Sequence, residues 1–182
     1  MSHRSGARRV LVAGIGNVFL GDDGFGVEVV GRLDAGSLPD SVDVADYGIR
    51  GVHLAYELLD GRYDTVILVD AVPTGEAPGT VSVLEVDPAA TAEPGAEDPP
   101  GPLPIDGHGM TPMAVLAMLR DLGGAVDRVL LVGCEPAVVE ERMALSEVVR
   151  GSVEEAAGLV ARLARREASG AVALSGDAAE AG

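Results

Sequence analysis

The feature that most limits what this chain can fold into is a set of short, unbroken apolar runs, each ending in glycine or aspartate. Residues 9–14 (Arg-Val-Leu-Val-Ala-Gly), 65–70 (Thr-Val-Ile-Leu-Val-Asp) and 127–133 (Asp-Arg-Val-Leu-Leu-Val-Gly) are of this kind. Four to six apolar residues without polar alternation predict strands covered on both faces, which is the habit of parallel sheets. Residues 80–86, Thr-Val-Ser-Val-Leu-Glu-Val, alternate with period two and predict a half-exposed strand at a sheet edge. Residues 41–45 predict one more strand, running into Asp46.

Helical patterns lie between these runs. Residues 25–33 place Val27, Val30 and Leu33 on one face, and a short helix is expected over 52–59. Thr111-Pro112 is a helix start, with Thr as N-cap and Pro in the first turn; Val115, Leu116, Met118, Leu119 and Leu122 then point inward. A last helix is expected from about Ser146, carrying Val149, Val153, Ala156, Val160 and Leu163 at helical spacing. Strand and helix alternate, so the expected fold is α/β: a single domain over 1–167, with a mostly parallel twisted sheet and helices on both faces. The Pro-, Ala- and acid-rich stretch 87–107 is expected to be a mobile surface loop, and 168–182 a disordered tail.

Composition narrows the partners. With Asp+Glu at 29 against Lys+Arg at 13 and a net charge of −16, the chain repels phosphate backbones and anionic lipid. Nucleic acid and membrane surfaces are therefore excluded as expected partners, and cations or basic peptides are favoured. The first apolar run is only six residues, too short for a signal-peptide core or a bilayer span, and the single cysteine, Cys134, allows no internal disulfide. A cytoplasmic protein is expected.

In a sheet of this type ligands bind beyond the carboxyl ends of the strands. Asp23, Asp46 and Asp70 are all expected there, just past strand ends on one edge. The Gly14-x-Gly16 turn invites a dinucleotide-binding reading, but the third glycine of that fingerprint is replaced by Phe19. Of the neighbours Asp22 and Asp23, one is expected to cap the following helix, while Gly21 and Gly24 let the other carboxylate turn toward the cleft. Asp70 leaves a buried strand, where a carboxylate needs either hydrogen-bond donors or a cation. His108 stands between two glycines just before the Thr111 helix start, open to ligation, proton transfer or plain surface exposure. Two carboxylates and one imidazole suit a divalent first-row metal, with zinc, nickel and manganese all compatible, and no HExxH pattern is present. Cys134 reads as a small core residue.

With these residues in view, the chain resembles the hydrogenase maturation endopeptidases. The likeness runs from Val10 to about Arg166, outside the stretch before Gly107. Its strongest piece is Gly14-Ile-Gly-Asn-Val-Phe-Leu-Gly-Asp-Asp-Gly-Phe-Gly-Val27, followed by Asp46-Tyr-Gly-Ile-Arg-Gly51 and by Val69-Asp-Ala71 with Pro78-Gly-Thr80. Gly107-His108 with Pro112 and Leu116 comes next, then Leu131-Val-Gly133 with Pro136. The resemblance implies a peptidase that cuts once, removing the C-terminal extension of a nickel–iron hydrogenase large-subunit precursor after nickel insertion. It implies Asp23, Asp70 and His108 as metal-ligating and catalytic residues, Asp23 standing where some members carry Glu. Asp46 matches a loop residue beside the cleft, with a role in substrate recognition. The nickel would be carried by the precursor or bound at the site, with zinc as another divalent candidate. Two rival readings stand beside it: a chaperone that binds the nickel-loaded precursor without cutting, and a nucleotide-binding module.

Overall fold

Each unbroken apolar run forms a strand that sends alternate side chains to opposite faces of one sheet. The computed structural model describes residues 7–89 and 111–170. In it β1 (Val10–Ile15), β3 (Thr65–Ala71) and β5 (Arg128–Cys134) are almost wholly buried, because both faces are covered. Val10, Val12, Ile67, Val69, Leu130 and Val132 face one core, while Leu11, Ala13, Ile15, Val66, Leu68, Val129 and Leu131 face the other. The strand order is β2-β1-β3-β5-β4, where β2 is Val42–Gly48 and β4 is Val81–Val86. All pairings are parallel except β4 against β5. The run 80–86 thus supplies the half-exposed strand at the sheet margin, although burial along it does not alternate: Val83, Leu84 and Glu85 are all exposed.

Helices α1 (Phe25–Gly31) and α5 (Val153–Ala168) cover the first face, and α2 (Gly51–Leu59) and α3 (Pro112–Asp121) the second. Thr111 caps α3 as its sequence suggests, its hydroxyl accepting the Ala114 N–H at 3.2 Å. No helix among the described residues is long and apolar enough to cross a membrane.

Several details depart from the sequence expectations. The buried face of α1 is Phe25, Gly26, Val29 and Val30 rather than Val27, Val30 and Leu33, because the helix docks through Gly26. Leu122 is exposed, since α3 has already ended and Gly123, with φ of 83°, turns the chain away. The last helix comes in two pieces, α4 (Glu147–Arg150) and α5. The break at Gly151-Ser152 lets the Ser152 hydroxyl donate to the Gly79 carbonyl at 2.7 Å. Asp46 and Asp70 lie within the final residues of β2 and β3 rather than past them, paired with Gly14 and Gly133 respectively. α5 runs through Ala168, which packs in the core. The expected loop at 87–107 falls largely outside the described residues, as does the tail after Gly170.

Gly26 is where α1 meets the sheet most closely. A Cβ there would lie 2.0 Å from the Val69 carbonyl oxygen and 2.4 Å from that of Ile15. Both obstacles are backbone atoms of the central strands and cannot swing aside. Gly26→Ala is expected to cost about 3 kcal/mol or more by forcing the helix off β1 and β3. A chemical denaturation curve checks this, and a loss under about 1 kcal/mol would show that the contact yields.

Candidate active site

The strand order reverses between β1, whose crossover leads outward to β2, and β3, from which the sheet continues to β5. The crevice at the carboxyl ends of β1 and β3 is therefore the switch point where such sheets hold ligands. Two of the expected residues meet there. Asp70, at the end of β3, is only 6% exposed, and its Oδ1 accepts the N–H of Ala71 at 2.8 Å. Asp23 lies in a 3₁₀ turn (Gly21–Gly24) that packs against β3. Its Oδ2 accepts the Asn17 N–H at 2.8 Å, closing the loop after β1 on itself.

Gly16 joins these two acids. Its φ of 127° is a conformation that side chains avoid, and a Cβ there would sit 1.9 Å from the Asp23 carbonyl oxygen and 3.3 Å from Asp70 Oδ1. The glycine at this position thus lets the Asp23 turn fold down onto the Asp70 carboxylate. Burial, and then the charge of Asp23, push the Asp70 carboxyl up to about 8 from its ordinary 3.8, against the smaller opposing effect of the Ala71 N–H. A buried carboxyl beside a second acid prefers either a proton or a cation.

Asp46 sits one strand further out, exposed at the end of β2, with its carboxylate turned over Gly48. The Gly48 carbonyl accepts the Gly16 N–H at 3.0 Å, so Asp46 flanks the Gly16 loop on the side away from β3. His108 lies outside the described residues. Among the described residues no group of three His, Cys, Asp or Glu side chains is gathered for a metal; Asp23 and Asp70 supply two oxygen-donor groups. Their chemistry fits a divalent cation, since two carboxyl groups within electrostatic reach of each other at a strand end are hard oxygen ligands.

The expected capping role for Asp22 or Asp23 does not hold. The N-cap of α1 is Gly24, with no side-chain cap. Asp22 instead points inward, fully buried, and accepts four hydrogen bonds from the segment after β5. Burial alone would raise its pKa, but the donors on Ser146, Val138 and Ala137 outweigh this and hold the carboxyl below its ordinary value. Two adjacent acids were the only sequence signal for it. Cys134 is buried at the end of β5, and burial, with the charges of Asp22 and Glu135, pushes its thiol up to about 11. That is the reverse of an activated nucleophile, and the core reading stands.

Fold and crevice together define an α/β protein with a buried carboxyl and a second acid near it at the switch point of its sheet. Comparison with known proteins narrows this. The family described as hydrogenase maturation protease matches residues 27–163, a span that takes in Asp46, Asp70 and His108 and begins after Asp23. A putative hydrogenase maturation protease of Methanocaldococcus jannaschii is 32% identical over 154 residues, covering 83% of this chain and 93% of its own. The hydrogenase 2 maturation protease of Escherichia coli is 31% identical over 153 residues, covering 81% and 85%. Among solved structures, the E. coli hydrogenase maturating endopeptidase HybD superposes with a TM-score of 0.66 at 26% identity, over 87% of this chain and 93% of that one. The NiFe hydrogenase maturation protease HycI of Thermococcus kodakarensis does so with a TM-score of 0.66 at 27% identity, over 88% and 94%. This chain belongs to the hydrogenase maturation protease family.

The raised Asp70 carboxyl has a measurable consequence in the cation-free protein. Between pH 4 and 8, the folded chain keeps a proton that the unfolded chain has released. Stability should therefore be highest at the acid end of that window and fall as pH rises toward 8, by at most about 1.4 kcal/mol per pH unit. Asp70→Asn should flatten this slope. Urea denaturation of both proteins at several pH values tests it, and parallel slopes would show that Asp70 ionises normally.

Proposed function

We propose that this peptidase removes the C-terminal extension of a nickel–iron hydrogenase large-subunit precursor after nickel has been inserted, and that Asp23, Asp70 and His108 are the groups that meet the nickel. The observation that carries this reading is the buried Asp70 carboxyl held against Asp23 at the crevice between β1 and β3. A pocket of that kind is poor for a neutral peptide alone and good for one that arrives with a divalent cation. Its relatives are named as hydrogenase maturation proteases, which supplies the substrate class.

On this reading the nickel is cargo of the precursor, and its arrival at Asp23 and Asp70 positions the adjoining chain for cutting. Hydrolysis then requires a water oxygen to attack the scissile carbonyl carbon. A carboxylate accepts the water's proton, and the amide nitrogen leaves with a proton as the C–N bond breaks. A cation near the carbonyl oxygen would stabilise the charge that gathers there. On the same reading Asp46, exposed at the end of β2, contacts the precursor beside the cut; its exposure and its position by Gly48 support this. The −16 net charge favours a cation-bearing partner over nucleic acid, and a cytoplasmic setting accords with the lone buried thiol.

Mass spectrometry of nickel-loaded and nickel-free precursor after incubation with the protein tests this directly. The loaded form should lose its C-terminal peptide and the nickel-free form should not. Asp70→Asn and His108→Ala should each lower the processing rate by about 100-fold or more. Asp70→Asn should leave the fold intact. Its melting temperature should match wild type at about pH 4 and below, where Asp70 keeps its proton and Asn is its neutral counterpart. It should exceed wild type increasingly toward pH 8, because folded Asp70 must hold a proton that the unfolded chain has released. Full processing by a folded Asp70→Asn protein would refute the assignment.

A further inference from the structure

We infer that Asp22 is a positioning residue for the reaction: its carboxylate clasps the turn that carries Asp23 to the segment after β5, and this clasp holds Asp23 opposite Asp70. The inference rests on the reading of Asp23 and Asp70 as the working pair. Asp22 lies more than a hundred residues from its partners. Its Oδ2 accepts the N–H groups of Ala137 and Val138, each at 2.8 Å, and the Ser146 hydroxyl at 2.9 Å; its Oδ1 accepts the Ser146 N–H at 2.6 Å. The backbone is tied along the same line. Asp22 N–H donates to the Val138 carbonyl, Gly21 N–H to that of Arg142, and Arg142 N–H to that of Phe19.

The sheet order gives this clasp its importance. β3 lies between β1 and β5, so a link from the turn after β1 to the segment after β5 must span the end of β3. Asp70 emerges at that end. The 3₁₀ turn that carries both Asp22 and Asp23 packs against β3, and Gly16 beneath it leaves no room for a side chain. Asp23 is therefore held from two directions: its own carboxylate by Asn17, and its preceding residue by the segment 137–146. With four donors on two oxygens, Asp22 has little capacity left to bind a cation itself, so its effect must pass through its neighbour.

Ser146 extends the arrangement. It donates its hydroxyl to Asp22 and accepts the Val149 N–H as the N-cap of α4, so the clasp is anchored to a helix end. An asparagine at 22 would set an NH₂ group against donors that all need an acceptor. The fold could persist around that conflict, but the Asp23 turn would lose its fixed height over β3.

The test uses the full chain with Asp22→Asn, Ser146→Ala, Ser146→Thr and Asp70→Asn, each studied well below its own melting temperature with its fold checked by circular dichroism. Two quantities are read: affinity for Ni²⁺ alone by titration calorimetry, and kcat and KM for processing nickel-loaded precursor. Groups that orient ligands typically matter 10–100-fold. Folded Asp22→Asn should bind Ni²⁺ about tenfold more weakly and lose about 10–100-fold in kcat, with KM within about twofold of wild type. Ser146→Ala, which removes one of the four bonds, should lose about threefold in kcat, and Ser146→Thr should recover it. Where the wild-type chain takes up no free Ni²⁺, kcat decides. An Asp22→Asn protein with wild-type kcat, or one altered only in KM, overturns the inference. If that variant does not fold, an unchanged kcat in Ser146→Ala overturns it instead. Asp70→Asn separates the two levels: if it is inactive while the Asp22 variant is normal, only this inference falls, and if it processes normally, the reading of the pair falls as well.

Discussion

The site depends on how closely α1 approaches the two central strands. At Gly26 the helix backbone rests on the carbonyl oxygens of Val69 and Ile15, nearer than any side chain would permit. Because the helix begins so low over the sheet, the chain leaving β1 must rise and double back within the short loop from Gly16 to Gly24. Gly16, with its positive φ, makes that return possible, and the result is Asp23 folded over the end of β3. Helix docking, loop path and the meeting of two carboxylates are thus one geometric solution. A larger residue at Gly16 or Gly26 would part the acids as well as loosen the core.

That solution carries a local energetic conflict. Asp70 ends a strand whose other residues are apolar and buried, and its carboxyl is left with a second acid nearby. Elsewhere the packing is conventional, with two aliphatic layers on a largely parallel sheet. Conflicts of this sort persist when the surrounding structure overdetermines them, and they concentrate where a ligand is to be taken up. A proton on Asp70 relieves the repulsion, and a cation shared by the two acids would relieve it in the proton's place.

How much of this was legible in the sequence follows from the range of the forces involved. Strands β1, β3 and β5 were legible because two-sided burial leaves unbroken apolar runs, and β4 because its sequence alternates, although its burial does not. The inward face of α1 was not, since it is set by a backbone contact at Gly26 that leaves no mark in hydrophobic periodicity. Asp70 could be singled out as an acid closing an apolar run, and its approach to Asp23 followed from placing both at the carboxyl edge. Asp22 was misread as a possible cap because its partners, Ala137, Val138 and Ser146, lie far along the chain, and three of its four bonds go to backbone N–H groups. Backbone donors have no residue signature.

Asp22 and Asp23 show how little residue type alone decides. The two side chains are adjacent and chemically identical, yet one meets four donors and is sealed from water, while the other accepts one backbone N–H and stays partly open. A carboxylate whose lone pairs are already engaged gains little from a cation, because it must give up hydrogen bonds to ligate one. One with spare lone pairs and a second acid facing it gains a great deal. The 3₁₀ turn between Gly21 and Gly24 produces this division, since successive side chains along it point in different directions. A regular helix beginning at the same place would have used one acid as its cap and left the other to solvent. The irregular turn is what lets one acid anchor the chain while its neighbour stays near Asp70.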